Sequence, residues 1–298
     1  MRARARGQLR SVAVVGLGLI GASLCRALRA RRPELRLVGV TRRTETAERA
    51  LADGVCDAAG TGAGLLAEAD LVVICTPVDA MEAWLVACRD HAANAQVTDC
   101  GSTKAWVTGR GTALLGEQRF LGGHPMAGRE LSGYAAADAG LFAGAVWVFT
   151  PASGAVPDGF IPWQRAVENI GCRIEVMDAT AHDDAVGWIS HLPFGLSSAM
   201  VRAAAAAPSW PAAQRLAASG FRDVARLAGG DPAMYSAIIG SNAGPMLAAL
   251  DGLERQLGEL RRLLESGDGT AAEDWFASAR AARQRWLDER AAAGGLPP

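Results

Sequence analysis

His124, one of four histidines in the chain, lies in the stretch Phe120-Leu-Gly-Gly-His-Pro-Met-Ala-Gly-Arg-Glu130, between a strand-like apolar run and a glycine-rich turn. An imidazole, with an ordinary pKa of about 6.5, takes a proton from a hydroxyl at neutral pH. Upstream, Gly16-Leu-Gly18-Leu19-Ile20-Gly21 fits GxGxxG, after a strand and opening a helix. In that fingerprint Gly16 allows the tight turn, Gly18 lets the backbone approach a pyrophosphate, and Gly21 lets helix and strand pack closely. The helix opening at Leu19 and Ile20 offers amide donors and its positive dipole end to the phosphates. A nicotinamide site followed by a positioned imidazole is what removing a hydride and a proton from one carbon requires. The chain reads as a dehydrogenase.

The neighbouring residues refine that reading. Ser102, in Thr98-Asp-Cys-Gly-Ser-Thr-Lys104, is placed to hydrogen-bond the imidazole and fix its orientation. Lys104 suits either a phosphate or carboxylate, or the surface. An NAD site carries Asp or Glu about 20 residues past the last glycine, for the ribose 2′-hydroxyl. Thr41-Arg42-Arg43-Thr44 stands there instead. With two guanidiniums available for a 2′-phosphate, NADP is expected in preference to NAD. Thr76 and Pro77, which halt the next buried strand, complete the expected cofactor-binding set.

His182 and His191 do not suggest a metal. Nine residues apart, they point to nearly opposite faces of a regular helix, and no zinc-like cluster accompanies them. Ser190-His-Leu-Pro193 reads as a helical segment facing the cleft. Arg222 and Arg226, four apart, share a helix face. The pair suits a substrate with two carboxylates, or equally an exposed face salt-bridged to Asp223.

Positioning these residues requires a parallel sheet. The first half alternates β-branched runs with helical patterns, the signature of helices on both faces of such a sheet. Strands are expected at Ser11–Val15, Leu35–Val40, Asp70–Cys75, Gln96–Thr98, Phe120–Leu121, Ala145–Phe149 and Arg173–Val176, with helices at Ala22–Arg31 and Thr44–Asp53. After about Asp178 the β-branched runs fade and apolar residues recur at helical spacing. Leu250, Leu253, Leu257, Leu260 and Leu264 make one stripe of a long helix. The expected fold is α/β: a Rossmann-type dinucleotide-binding domain at 9–178, then an all-α substrate and dimerisation domain at 179–298.

Composition narrows the class. The 298 residues are 50% hydrophobic and 20% charged, with a formal net charge of −1, so no basic field points to nucleic acid or an anionic membrane. No apolar run approaches the roughly 20 residues that span a bilayer. Met1-Arg-Ala-Arg-Ala-Arg6 is basic but leads into no signal-peptide apolar region. Cys25, Cys56, Cys75, Cys88, Cys100 and Cys172 form no CxxC pair, and several lie in apolar runs. A reducing, cytoplasmic setting is expected.

The segments Val14–Leu24, Val97–Lys104, Gly123–Gly128, Ser190–Pro193, Gly220–Asp223 and Asp231–Tyr235, in that order, resemble the prephenate/arogenate (cyclohexadienyl) dehydrogenase family of tyrosine biosynthesis. The resemblance spans nearly the whole chain. It implies a nucleotide-binding domain and a helical domain building a tight homodimer, here through the Leu250–Leu264 helix. It implies oxidative decarboxylation of prephenate or arogenate, with hydride transfer to NAD(P), giving 4-hydroxyphenylpyruvate or tyrosine. His124 then matches the catalytic histidine, and Ser102 the serine that orients histidine and cofactor. Arg226 matches a substrate-carboxylate arginine supported by Arg222, and Tyr235 lines the substrate pocket where tryptophan is frequent. His191 matches the first histidine of a His-Leu-Pro-His motif. Two positions depart from the pattern: Phe194 replaces the second histidine, and Arg129 stands among the substrate-contacting residues where a small hydroxyl residue is frequent. Those departures admit arogenate or a 4-amino-4-deoxyprephenate dehydrogenase of a specialised pathway. A non-catalytic cofactor-binding relative is a separate alternative, against which the intact His124, Ser102 and Arg226 argue. With the chain ending at 298, no appended regulatory module is expected.

Overall fold

The computed structural model describes residues 9–129 and 131–292. Its first part is an eight-stranded sheet. In chain order it runs β1 (Ser11–Val15), α1 (Leu19–Arg31), β2 (Arg36–Val40), α2 (Thr44–Ala52), β3 (Ala58–Gly60), β4 (Leu71–Ile74), α3 (Met81–His91), β5 (Gln96–Asp99), α4 (Ala105–Leu115), β6 (Phe120–Pro125), β7 (Val146–Thr150), α5 (Ile161–Asn169) and β8 (Arg173–Val176). The sheet order is β3-β2-β1-β4-β5-β6-β7-β8. All pairs are parallel except β6 with β7.

The sequence dictates this centre. Ser-Val-Ala-Val-Val in β1 and Leu-Val-Val-Ile in β4 are buried along their whole length, as strands covered on both faces must be. Alternation then sorts β1. Val12 and Val14 pack with Leu24 and Leu28 of α1 and with Trp147 and Trp163, whereas Ala13 and Val15 pack on the other face with Met81 and Leu85 of α3.

Two features depart from the sequence expectation. β3 is an addition: Ala-Ala-Gly has no β-branched signal and becomes a strand only by pairing with the edge of β2. β7 runs antiparallel to β6, because their connection carries a 3-10 turn at Tyr134–Ala136 and no crossover helix to return the chain in parallel.

The helical region continues with α6 (Ala179–Val186), a π-helical turn (Gly187–His191), α7 (Leu192–Ala206), α8 (Trp210–Leu216), α9 (Ser219–Ala225), α10 (Pro232–Ser241), α11 (Ala243–Ser266) and α12 (Gly269–Ala292). By compactness the chain divides at Ala243/Gly244. In the second unit, α11 exposes Leu250, Leu257 and Leu264, and α12 exposes Phe276 and Trp286. No helix among the described residues is long and apolar enough to cross a membrane.

Candidate active site

The carboxyl ends of β1, β4, β5 and β6 share one edge of the sheet, the edge at which open α/β sheets take ligands. At β1, Gly16 has φ +95°, and a Cβ there would stand 2.7 Å from the Cys75 carbonyl oxygen. A Cβ on Gly21 would fall 1.9 Å from the Gly16 oxygen, so the turn and α1 touch backbone to backbone. A Cβ on Gly18 would meet nothing within 4 Å, and no side chain caps the first amides of α1, which begin at Leu19. This open cradle with unspent N–H donors fits a pyrophosphate. Thr41 is half-buried at the end of β2, with Arg42 and Arg43 exposed after it. Thr76 follows β4 with its hydroxyl oxygen buried and unmatched, and Pro77 is exposed.

The imidazole expected to act as the base sits at the end of β6. His124 is buried, and its Nδ1 lies 2.8 Å from Nε2 of His182 in α6. His182 Nδ1 lies 2.8 Å from Asp183 Oδ1. The Asp183 carboxylate also accepts the Lys104 N–H at 2.6 Å and the Ala105 N–H at 2.8 Å, which places it at the N-terminus of α4. A carboxylate only accepts, so His182 Nδ1 donates to it. In the neutral pair His182 Nε2 then accepts from His124 Nδ1, and the lone pair of His124 remains on Nε2. Burial above all, then the nearness of other groups that take up positive charge, His182, Lys104 and His191, holds the His124 pKa well below the ordinary imidazole range. The ring is therefore an unprotonated base at neutral pH.

Lys104 faces a carboxylate, one of the protein's own. It is wholly buried, its ammonium paired with Asp99 and donating to the Gly123 carbonyl at 2.9 Å. Asp99 in turn accepts the Gly123 N–H at 3.1 Å and the Gly101 N–H at 2.7 Å. The pair clamps both backbone groups of the residue before His124. Ser102 is half-buried just past Gly101, and the imidazole Nδ1 of His124 is held by His182 of α6.

The expected substrate residues divide. The π-helical turn shifts the helical phase that would have sent His182 and His191 to opposite faces, and both join one polar cluster through Asp183 and Asn242. Phe194 stacks on Tyr235 with ring centroids 4.0 Å apart, and the Tyr235 hydroxyl donates to the Leu227 carbonyl at 2.7 Å. Arg226 begins the turn after α9, exposed. Arg222 is an exposed side chain paired with Asp223 at 3.2 Å. Arg129 is half-exposed and bridged to Asp138 at 2.5 Å. Sequence reasoning missed Asp99, His182, Asp183 and Asn242 as members of the site. The adjacent His182-Asp183 pair was the one legible signal.

Burial also pushes His191 down to about 4. Unfolded imidazoles near 6.5 bind protons that native His124 and His191 refuse, so native stability falls with pH below about 6.5. The loss attributable to His191 develops between about pH 6.5 and about pH 4. Urea unfolding at pH 7 and 4.5 checks this. Equal stabilities would contradict it.

Residues 24–176 match the family model described as "Prephenate dehydrogenase, nucleotide-binding domain", and residues 178–278 match "Prephenate dehydrogenase, dimerization domain". The chain is 30% identical over 281 residues to the prephenate dehydrogenase of Lactococcus lactis subsp. cremoris (strain MG1363), covering 93% of this chain and 77% of that one. Among solved structures it is similar to Synechocystis arogenate dehydrogenase, with TM-score 0.80, 33% identity, and 93% and 100% of the two chains covered. It is also similar to the A. aeolicus prephenate dehydrogenase in complex with hydroxyphenyl propionate and NAD+, with TM-score 0.86, 26% identity, and 94% and 99% covered.

Proposed function

The chain belongs to the prephenate dehydrogenase family, and from that premise we propose that it oxidatively decarboxylates prephenate or arogenate, with His124 as the base. The observation that carries the assignment is the His124–His182–Asp183 chain on the sheet edge that bears the glycine cradle. A bound nicotinamide would supply the acceptor for the hydride of the hydroxyl-bearing ring carbon. His124 Nε2 takes the hydroxyl proton as that C–H bond breaks. Charge arising on the imidazole is met through His182 by the Asp183 carboxylate. The ring carboxylate leaves as carbon dioxide, its bonding pair completes the aromatic ring, and His124 returns the proton to the phenolate oxygen. No net proton is released.

Gly16, Gly18 and Gly21 with the first amides of α1 would hold the pyrophosphate, and Thr76 and Pro77 would border it. Ser102 would orient His124 and the cofactor, Arg226 supported by Arg222 would meet a substrate carboxylate, and Tyr235 would line the substrate pocket beside Phe194. On this assignment residues 9–178 bind the nucleotide and 179–298 complete the substrate site. The dimerisation-domain match and the exposed leucines of α11 support a homodimer. A nicotinamide cofactor and a small acid substrate support a cytoplasmic reaction.

Arg42 and Arg43 support NADP in preference to NAD. Replacing both by Ala is expected to raise KM for NADP about tenfold or more while changing KM for NAD little, since each guanidinium–phosphate contact is charge-assisted. A lower KM for NAD than for NADP in the unaltered enzyme would overturn the preference. Assay of reduced-nicotinamide formation with prephenate and arogenate, each against both cofactors, tests the whole assignment. Turnover with either acid upholds it. Silence in all four, with cofactor bound, shifts the substrate to the 4-amino analogue.

A further inference from the structure

His191 is 1% exposed, with one ring nitrogen bonded and the other bare. Its Nδ1 lies 2.9 Å from Nδ2 of Asn242, a buried residue just past α10. The same Asn242 amide nitrogen lies 2.9 Å from the carbonyl oxygen of Asp183. A carbonyl can only accept, so the Asn242 group facing it is the NH2 and not the amide oxygen. Of its two hydrogens one goes to Asp183, and the other is directed at His191 Nδ1, which must accept. A neutral imidazole that accepts at Nδ1 carries its proton on Nε2.

That Nε2–H is buried and meets no hydrogen-bond partner among the described residues. A buried donor left unmade is costly, and one retained in a site calls for an acceptor that arrives from outside. Its surroundings supply none: the Phe194 ring lies 5.9 Å away, centroid to centroid, itself stacked on Tyr235. The donor is nonetheless joined to the base, since Asn242, Asp183, His182 and His124 form one continuous hydrogen-bonded set.

We propose that Asn242 is a positioning residue that locks His191 as a neutral Nε2–H donor, and that this donor receives a carboxylate oxygen of the substrate. An ammonium group, which only donates, is excluded from that point. The substrate half of the proposal rests on the dehydrogenase assignment above; the tautomer does not.

With only four histidines in the chain, a two-bond proton–nitrogen spectrum of the 15N-histidine-labelled protein at pH 7 resolves the tautomer. The His191 signals, identified by their loss in His191→Gln, are expected to show a protonated Nε2 and a bare Nδ1. Adding 4-hydroxyphenylpropionate with cofactor is expected to move the Nε2 proton downfield. A proton on Nδ1, or an imidazolium, overturns the lock. An unmoved Nε2 proton in the ligand-bound protein overturns the carboxylate contact. These readouts need no turnover, so an enzyme silent on every cyclohexadienyl acid would refute the assigned reaction and leave the tautomer standing.

Kinetics supply the second arm. Gln keeps an N–H near the Nε2 position, whereas Asn reaches only the Nδ1 position. His191→Asn is expected to raise KM for the acid about tenfold, and His191→Gln by less than about threefold, with kcat much less affected in both. Equal rises would overturn the donor role. Asn242→Ala should give mixed His191 tautomers and the higher KM, and an unaltered spectrum there would overturn the positioning role.

Discussion

His124→Asn is expected to lower kcat about a thousandfold while leaving the cofactor Kd near its original value. The choice of Asn is deliberate. Its amide nitrogen occupies roughly the place of Nδ1 and can still donate to His182, so the packing at the end of β6 is kept. What disappears is the Nε2 lone pair, and positioned general bases contribute about 10²–10⁴-fold. Because the glycine cradle and α1 lie on a separate strand, nucleotide binding should not change. Single-turnover measurements with saturating acid and cofactor check the value. A variant keeping more than about a tenth of the original kcat would contradict the base assignment.

The second large effect concerns stability. Lys104→Met removes the ammonium from a fully buried ion pair and leaves the Asp99 carboxylate with two backbone donors. Breaking such a pair from one side costs roughly 3–5 kcal/mol, because an uncompensated charge stays in the interior. The same change frees the Gly123 carbonyl and loosens the backbone that carries His124, so kcat should fall with Tm. The double variant Asp99→Asn with Lys104→Met should recover part of the stability, since the stranded charge is gone. Urea unfolding of the three proteins measures this. A loss under about 1 kcal/mol for Lys104→Met would mean that the clamp holds nothing.

The nucleotide half of the site was legible because its requirements are local. Gly16, Gly18 and Gly21 answer to sterics within one strand–turn–helix unit, and the β-branched runs of β1 and β4 announce a sheet buried on both faces. His124 was legible for the same reason, at a strand end beside paired glycines. The hydrogen-bonded chain from His124 through His182 to Asp183 was not. His182 and Asp183 reach His124 and α4 from the far side of a domain's worth of chain, and nothing in their spacing says so. The regular-helix assumption separated His182 from His191, and the π-helical turn at Gly187–His191 undid it. The burial of Lys104 was not legible either: a lysine is rarely buried outright, and only the facing Asp99 makes it so. The antiparallel β7 escaped because strand direction depends on what the β6–β7 connection contains, not on the strand's own residues.

The most direct test of the account is to measure carbon dioxide and reduced nicotinamide together, in one reaction, from prephenate and from arogenate. The account predicts turnover of at least one acid, with the two products formed in equal amounts and both lost in His124→Asn. Reduced nicotinamide without carbon dioxide would contradict it, as would no turnover of either acid by a protein that binds its cofactor.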